Sequence, residues 1–124
     1  MIIEEAVNDK PMKVFCLALD LKVGEKLISE YEHYHRKIWP EITSSIRNSG
    51  ILGMQIYRVE NRLMMIMETE DDFSFDAKSQ LDVGNTKVEE WENLMWKYQQ
   101  ALPGSGPGEK WRLMKKIFDL NENG

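Results

Sequence analysis

Cysteine and histidine are scarce in this chain of 124 residues, which contains one cysteine, Cys16, and two histidines, His33 and His35. A lone cysteine cannot form a disulfide within the chain. These side chains are also too few for a structural zinc site, which takes Cys and His ligands in a tetrahedral set. Cys16 has no basic neighbour closer than Lys13, whereas a reactive thiolate needs electropositive surroundings. The sequence therefore predicts no disulfide, no metal site and no catalytic cysteine.

Long apolar runs and excess positive charge are also missing. No uncharged apolar run approaches the ~18 residues of a membrane span, and Met1–Lys10 has acidic residues where a signal peptide would be apolar. Lys plus Arg number 16 and Asp plus Glu 21, which gives a net charge of −5. An acidic surface lacks the cations that hold nucleic-acid phosphates and repels anionic lipid. We therefore expect a small cytoplasmic domain that binds neither nucleic acid nor membrane.

The apolar pattern predicts one domain of alternating strands and helices over residues 13–120. We expect residues 1–12 to form an N-terminal arm and residues 121–124 a polar tail. Runs of apolar or alternating residues predict four strands: Lys13–Asp20, Ile51–Val59, Leu63–Glu70 and Trp111–Leu120.

Helical periodicity and capping residues predict the helices between these strands. A helix begins after Val23, and Pro40 ends it and opens a second helix. Asp71 and Asp72 are the expected N-caps of a short helix over residues 73–81. Thr86, followed by a glutamate at capping-box spacing, is the expected start of a last helix.

The resulting order, βαββαβ, is typical of a ferredoxin-like α+β fold, in which helices cover one face of an antiparallel sheet. The other face would still carry apolar side chains from residues 13–20 and 63–70. Because large exposed apolar patches usually mark an interface, we expect two sheets to pack face to face. The partner is then a second copy of the chain, and the homodimer is a dimeric α/β barrel.

The densest group of aromatic and polar residues lies in residues 31–41. Tyr31 and His35 are four residues apart and would share one face of a helix, so a phenol and an imidazole could meet at one ligand. His33 would point to the opposite side. Trp39 and Trp91 could stack on the apolar face of a sugar, although the residues alone favour ordinary core packing for both tryptophans.

The spacing Tyr31-xxx-His35-xxx-Trp39-Pro40-Glu41, with the strand segments before and after it, resembles the L-rhamnose mutarotase family. The similarity covers residues 12–120. The resemblance implies a cytoplasmic homodimeric isomerase that interconverts the α and β anomers of a free monosaccharide, a 6-deoxy sugar, without metal or cofactor. It also implies that His35 is the proton donor and that Tyr31 and Trp91 contact the sugar.

Two positions depart from the pattern of L-rhamnose enzymes. Met54 stands where they have a tyrosine, and Glu92 where they have a second tryptophan, unless Trp96 is that tryptophan in a shifted alignment. L-rhamnose is the expected sugar, and these differences make L-fucose the alternative. In the expected mechanism a carboxylate or a second tyrosine, Glu92 or Tyr57, assists His35 at the anomeric hydroxyl.

Other functions on the same fold remain open, because fold alone does not determine function. A non-catalytic dimeric ligand-binding module would bind sugar without changing its anomer exchange. A cofactor-free oxygenase would also use a histidine in an apolar site, but it would consume oxygen with aromatic substrates. An RNA-recognition module needs aromatic residues on its central strands and a basic surface. Here the corresponding strands hold Cys16, Ala18, Met65 and Met67, and the net charge is −5.

Overall fold

The structure, a computed structural model, describes residues 12–123. The predicted N-terminal arm lies outside the described residues except for Met12, which is the first residue of a strand. The strands are β1 (Met12–Leu21), β2 (Ile51–Val59), β3 (Arg62–Glu70), β4 (Gln99–Gln100) and β5 (Arg112–Leu113). The helices are α1 (Glu25–Arg36), α2 (Pro40–Asn48), α3 (Phe75–Asp82), α4 (Thr86–Met95) and α5 (Leu120–Asn123). Among the described residues, no helix is both long and apolar enough to cross a bilayer.

All strands belong to one antiparallel sheet in the order β2-β3-β1-β4, with β5 also paired to β1. Strand β1 pairs along most of its length with β3, from Met12 opposite Glu70 to Asp20 opposite Arg62. The short strands β4 and β5 share the other edge of β1. The predicted mixed fold with an antiparallel sheet and helices is therefore confirmed.

The two faces of the sheet differ in what covers them. Alternate residues of β1 and β3, such as Leu21 and Leu63, are buried and pack in one cluster with residues of α1, α2 and α4. The residues between them point to the other side, which we call the open face. The open face carries Val14, Cys16 and Ala18 of β1, Met64 and Ile66 of β3, and Gln55 and Tyr57 of β2, all exposed or half-buried.

A β-bulge at Leu52 sets which side chains of β2 face the helices. Ile51 lies opposite Thr69 and Gly53 lies opposite the next residue, Glu68, so Leu52 has no partner across the ladder. The extra residue reverses the alternation of the strand. As a result Ile51 and Met54 lie on the same, helix-covered face, although they are three positions apart.

The predicted closing strand over residues 111–120 is wrong in its extent. Only Arg112 and Leu113 pair with β1, residues 114–119 form no regular element, and Leu120 begins α5. The apolar alternation suggested a buried strand, but Ile117 is 88% exposed. Phe118 and Leu120 are also exposed, at 60% and 70%. Asn121–Asn123, which lie in the predicted polar tail, belong to α5 and are exposed.

Two predicted helix caps are also wrong by a few residues. Ser74, and not Asp71 or Asp72, caps α3 by accepting a hydrogen bond from the amide of Ala77. Asn85 caps α4 by accepting one from the amide of Val88, so Thr86 is the first residue inside that helix. The start of α2 is as predicted, with Pro40 at its first position.

We expect Leu63→Ala to lower the free energy of unfolding by about 2–5 kcal/mol, because it opens a cavity in a fully packed site. Leu63 is 2% exposed in the core beneath α1 and α4. Val83→Thr, at a residue next to α3 that is 77% exposed, should change stability by less than about 0.5 kcal/mol. Urea unfolding monitored by tryptophan fluorescence measures both, and an equal effect of the two variants would contradict this description of the core.

Candidate active site

A cavity of about 290 Å³ lies between the helix-covered face of the sheet and the helices. This volume is at the lower end of the range for small-molecule sites. Most of the lining is apolar, with a few polar groups among it. Strands contribute Leu17, Met54, Ile56, Met65, Met67 and Gln99, and helices contribute Tyr31, His35, Ile42, Ser45, Ile46, Lys78, Trp91, Glu92 and Met95, with Trp111 from the last loop.

His35 is held by the backbone of its own helix. Its Nδ1 lies 2.9 Å from the carbonyl oxygen of Tyr31. A carbonyl oxygen only accepts hydrogen bonds, so Nδ1 carries the hydrogen and donates. In the neutral ring Nε2 is then the unprotonated nitrogen, on the edge of the imidazole that points away from the helix backbone. Nε2 can therefore take a proton from a ligand and give it back.

Burial makes His35 harder to protonate. It lowers the pKa of His35 from its ordinary value of 6.5, and the hydrogen bond to the carbonyl of Tyr31 opposes this effect in part. A buried imidazole loses hydration that the charged form needs more than the neutral form does. His35 is therefore neutral at pH 7, with Nε2 ready to accept a proton.

Tyr31 lies beside His35 and is buried, with 4.3 Å between the two ring centroids. Burial raises the pKa of Tyr31 to about 12, helped by the nearby charge of Glu92 and opposed by a hydrogen bond from Gln99. The phenol therefore keeps its hydrogen at neutral pH. The Nε2 of Gln99 donates to the Tyr31 oxygen over 3.3 Å.

The two candidate tryptophans take different positions. Trp91 lines the cavity, with its ring centroid 5.6 Å from that of His35. Trp39 packs edge-on behind it, 5.1 Å from Trp91, and is not part of the cavity lining. Tyr57 is not brought to the site either, because it faces away from the helices and is 55% exposed.

Glu92 lies at the border of the cavity and is half exposed. It forms an ion pair with Lys110 of the last loop, and the ammonium of Lys110 also lies 4.7 Å from the ring centroid of Trp96. Trp96 therefore packs under Lys110 and does not line the cavity. Met54, the other departure from the L-rhamnose pattern, does line it.

Several cavity residues were not predicted from the sequence. Gln99 belongs to a two-residue strand, and Lys78, Ser45 and Trp111 come from three separate elements. Lys78 forms an ion pair with Asp82 on its own helix. No local motif marks these residues, because only the tertiary fold brings them together. Within residues 12–123, no cluster of three or more His, Cys, Asp or Glu could hold a metal ion.

Residues 14–120 match the sequence pattern of the L-rhamnose mutarotase family. The chain belongs to this family. The resemblance seen in the segment from Tyr31 to Glu41 is thereby confirmed. Mutarotases of L-rhamnose and L-fucose are isomerases that interconvert carbohydrate anomers, so the prediction of an isomerase is confirmed as well.

Relatives within the family carry two different sugar names. An L-fucose mutarotase of Xanthomonas campestris pv. campestris is 43% identical over 113 residues, 90% of this chain and 90% of its own. An L-rhamnose mutarotase of Paraburkholderia phytofirmans is 26% identical and covers 85% of this chain and 94% of its own. A crystal structure of an L-rhamnose mutarotase from Formosa agariphila superposes with a TM-score of 0.64 at 19% identity, covering 87% of this chain and 98% of that one. This last similarity concerns the fold.

We expect the His35 side chain to titrate below pH 6.5 and its neutral form to carry the hydrogen on Nδ1, because burial disfavours the imidazolium and the Tyr31 carbonyl needs a donor. Nitrogen-15 NMR of histidine-labelled protein measures both the midpoint and the tautomer. His33→Gln assigns the signals without touching the cavity. A midpoint above 6.5, or a neutral form with the hydrogen on Nε2, would contradict the geometry.

Proposed function

We propose that this protein interconverts the α and β anomers of a free 6-deoxy-L-hexose by proton transfer at His35. The observation that carries the proposal is the position of His35 in a small apolar cavity, with Nδ1 held by a main-chain carbonyl and Nε2 unprotonated. Membership in a family of sugar mutarotases supports it. A non-catalytic binding module would not require an imidazole fixed in this way.

The character of the cavity suits a 6-deoxy sugar. Such a sugar has a methyl group at C6, which favours apolar surroundings, and hydroxyl groups that need hydrogen-bond partners. The lining combines apolar residues such as Met54 and Ile56 with residues that carry polar groups, Tyr31, His35 and Gln99. Trp91 offers an aromatic ring beside His35 on which the sugar can pack.

L-rhamnose and L-fucose are the two candidate sugars. The family is named for L-rhamnose, which is also the expectation from the sequence. The Xanthomonas relative named for L-fucose shares more identity with this chain than the Paraburkholderia relative named for L-rhamnose. Met54 and Glu92, where the L-rhamnose pattern has aromatic side chains, also favour L-fucose, so both sugars belong in the first experiment.

Ring opening requires that one proton move from the anomeric hydroxyl to the ring oxygen. In the proposed mechanism Nε2 of neutral His35 accepts the proton of the anomeric hydroxyl. The imidazolium then donates that proton to the ring oxygen as the bond from C1 to the ring oxygen breaks and the C1 carbonyl forms. Rotation about C1–C2 and the reverse steps close the ring on the other face. His35 ends in its starting state, so no co-reactant is consumed.

Other cavity residues hold the sugar during these steps. Tyr31 remains a protonated phenol and donates a hydrogen bond, since burial raises its pKa to about 12. Glu92 is the carboxylate that can accept a hydrogen bond from the anomeric hydroxyl at the border of the cavity. Positioned acid–base catalysis of this kind accelerates reactions by about 10²–10⁴-fold.

We expect the protein to accelerate exchange between the anomeric protons of L-fucose, of L-rhamnose, or of both. NMR saturation transfer with and without catalytic amounts of protein measures the exchange rate for each sugar. His35→Ala should lower the catalysed rate by about 10²–10⁴-fold, because the proton-transfer group is removed. Exchange in the variant equal to that of the wild type would refute the mechanism.

His33→Ala is the matched control, since His33 lies on the same helix but is exposed outside the cavity. It should leave the exchange rate unchanged. The catalysed rate should also fall as the pH drops below 6.5, because neutral His35 is needed and its lowered pKa places protonation there. If no free sugar shows faster exchange, a binding module replaces the mutarotase as the proposed function.

We further propose that the chain has the ferredoxin-like topology and forms a homodimer through the open face, as the sequence predicts. The strand order and the placement of helices on one side support the topology. Apolar residues on the open face, with Val14 59% exposed, support the interface. The exposed apolar residues of the segment 113–120 add further apolar surface that is open within the described part of the chain. A cytoplasmic location stays a prediction from the sequence.

We expect sedimentation equilibrium to give twice the monomer mass of 14.6 kDa. Val14→Lys should shift the protein toward monomer, because it places a charge in an apolar interface. Glu68 lies directly opposite on β3 and can pair with the new lysine, so the sheet of each monomer should remain stable. Val83→Lys is the control, at a valine 77% exposed beside α3. A monomeric wild type, or dimers of equal strength in both variants, would rule out the open-face interface.

A further inference from the structure

Gln99 has a buried side-chain oxygen that accepts no hydrogen bond from any residue in the range 12–123. The residue is 4% exposed and lines the cavity. Its Nε2 donates to the hydroxyl oxygen of Tyr31, whereas its Oε1 is buried with no hydrogen-bond partner among the described residues. A buried acceptor without a partner costs free energy, so native proteins seldom keep one without a reason. Because the Gln99 side chain lines the cavity, a ligand bound there that supplies a donor would give this buried acceptor such a reason.

Gln99 and Tyr31 together offer the ligand one donor and one acceptor. Because the Tyr31 oxygen accepts from Gln99, the phenolic hydrogen is left to donate elsewhere. Oε1 of Gln99 is left to accept. Turning the amide around would exchange these roles and still leave one donor and one acceptor. A secondary hydroxyl is both donor and acceptor, so the Tyr31–Gln99 pair is complementary to one sugar hydroxyl or to two adjacent hydroxyls.

The pair is fixed in place next to the proton-transfer group. Tyr31 packs on His35 with 4.3 Å between ring centroids, and Gln99 is held in β4, where it lies opposite Leu21 of β1. A hydroxyl bound by the pair therefore sets how the sugar is oriented relative to Nε2 of His35. Because neither side chain is charged, the pair distinguishes sugars by the positions and directions of their hydroxyl groups.

We propose that Gln99 is a specificity-determining residue, whose Oε1 accepts a hydrogen bond from a ring hydroxyl of the substrate while Tyr31 donates to the same or an adjacent hydroxyl. The inference rests on the proposed mutarotase function and deepens it. L-fucose and L-rhamnose differ in the orientation of their hydroxyls at C2 and C4. The sugar whose hydroxyl meets Oε1 is favoured, since the other leaves a buried acceptor unpaired.

The test compares Gln99→Leu with Gln100→Leu. Leucine removes both polar atoms of Gln99 at similar volume, and Gln100 is the exposed neighbour on the same strand. With the sugar that the wild type prefers, Gln99→Leu should raise KM or lower kcat/KM by about 10–100-fold, the effect of losing one hydrogen bond to a buried group. Gln100→Leu should match the wild type.

Monodeoxy analogues separate hydroxyl recognition from a purely structural role. With the 2-, 3- or 4-deoxy analogue that lacks the recognised hydroxyl, kcat/KM of the wild type and of Gln99→Leu should become equal. A penalty of the same size with every analogue would overturn the inference, and so would full activity of Gln99→Leu on the parent sugar. Gln99→Met, unbranched and of similar length, takes the place of Gln99→Leu if thermal unfolding shows that the latter is not folded.

A binding measurement distinguishes a wrong role for Gln99 from a wrong proposed function. If the wild type accelerates no exchange, calorimetric binding of L-fucose and L-rhamnose replaces the rate measurement. Sugar binding that is weakened by Gln99→Leu and not by Gln100→Leu would support the role of Gln99 without catalysis. Unchanged binding in Gln99→Leu, or no binding by the wild type, would overturn it.

Discussion

The pairing of β1 with β3 is the interaction on which the rest of the structure depends. β1 is the strand to which β3, β4 and β5 all pair, and β4 and β5 have two residues each. Strands this short are not stable alone, so their positions follow from the long ladder beside them. The same ladder aligns Leu17 with Met65 and Leu19 with Leu63. One face of the sheet therefore supplies both the hydrophobic core and the base of the cavity.

The candidate site combines a fixed polar edge with an adaptable apolar wall. Tyr31 and His35 lie on one helix turn and are held by main-chain and side-chain hydrogen bonds. Methionines at 54, 65 and 67 form part of the apolar lining, and methionine adapts readily to the shape of a ligand. A fixed proton-transfer group beside an adaptable lining suits a family whose members are named for different sugars.

The sequence predicted the features that rest on local periodicity. Tyr31 and His35 could be paired because four residues make about one helical turn, and strands β1 to β3 follow from their apolar runs. Features that depend on distant pairing could not be predicted. Gln99 reaches the cavity through its register with Leu21. The family resemblance pointed to Met54, but the bulge at Leu52 that turns it toward the cavity does not follow from the periodicity. The segment after Leu113 was assigned to a strand because alternation cannot show whether a partner exists.

The hydrogen bond from His35 to the carbonyl of Tyr31 has a consequence for how this site can diverge. The acceptor belongs to the main chain, so every residue type at position 31 supplies it as long as the helix is kept. The helix backbone therefore determines which imidazole nitrogen carries the hydrogen, and no second side chain has to be conserved for it. Mutations around the cavity, natural or engineered, can change which molecule is held while the orientation of the imidazole stays constant.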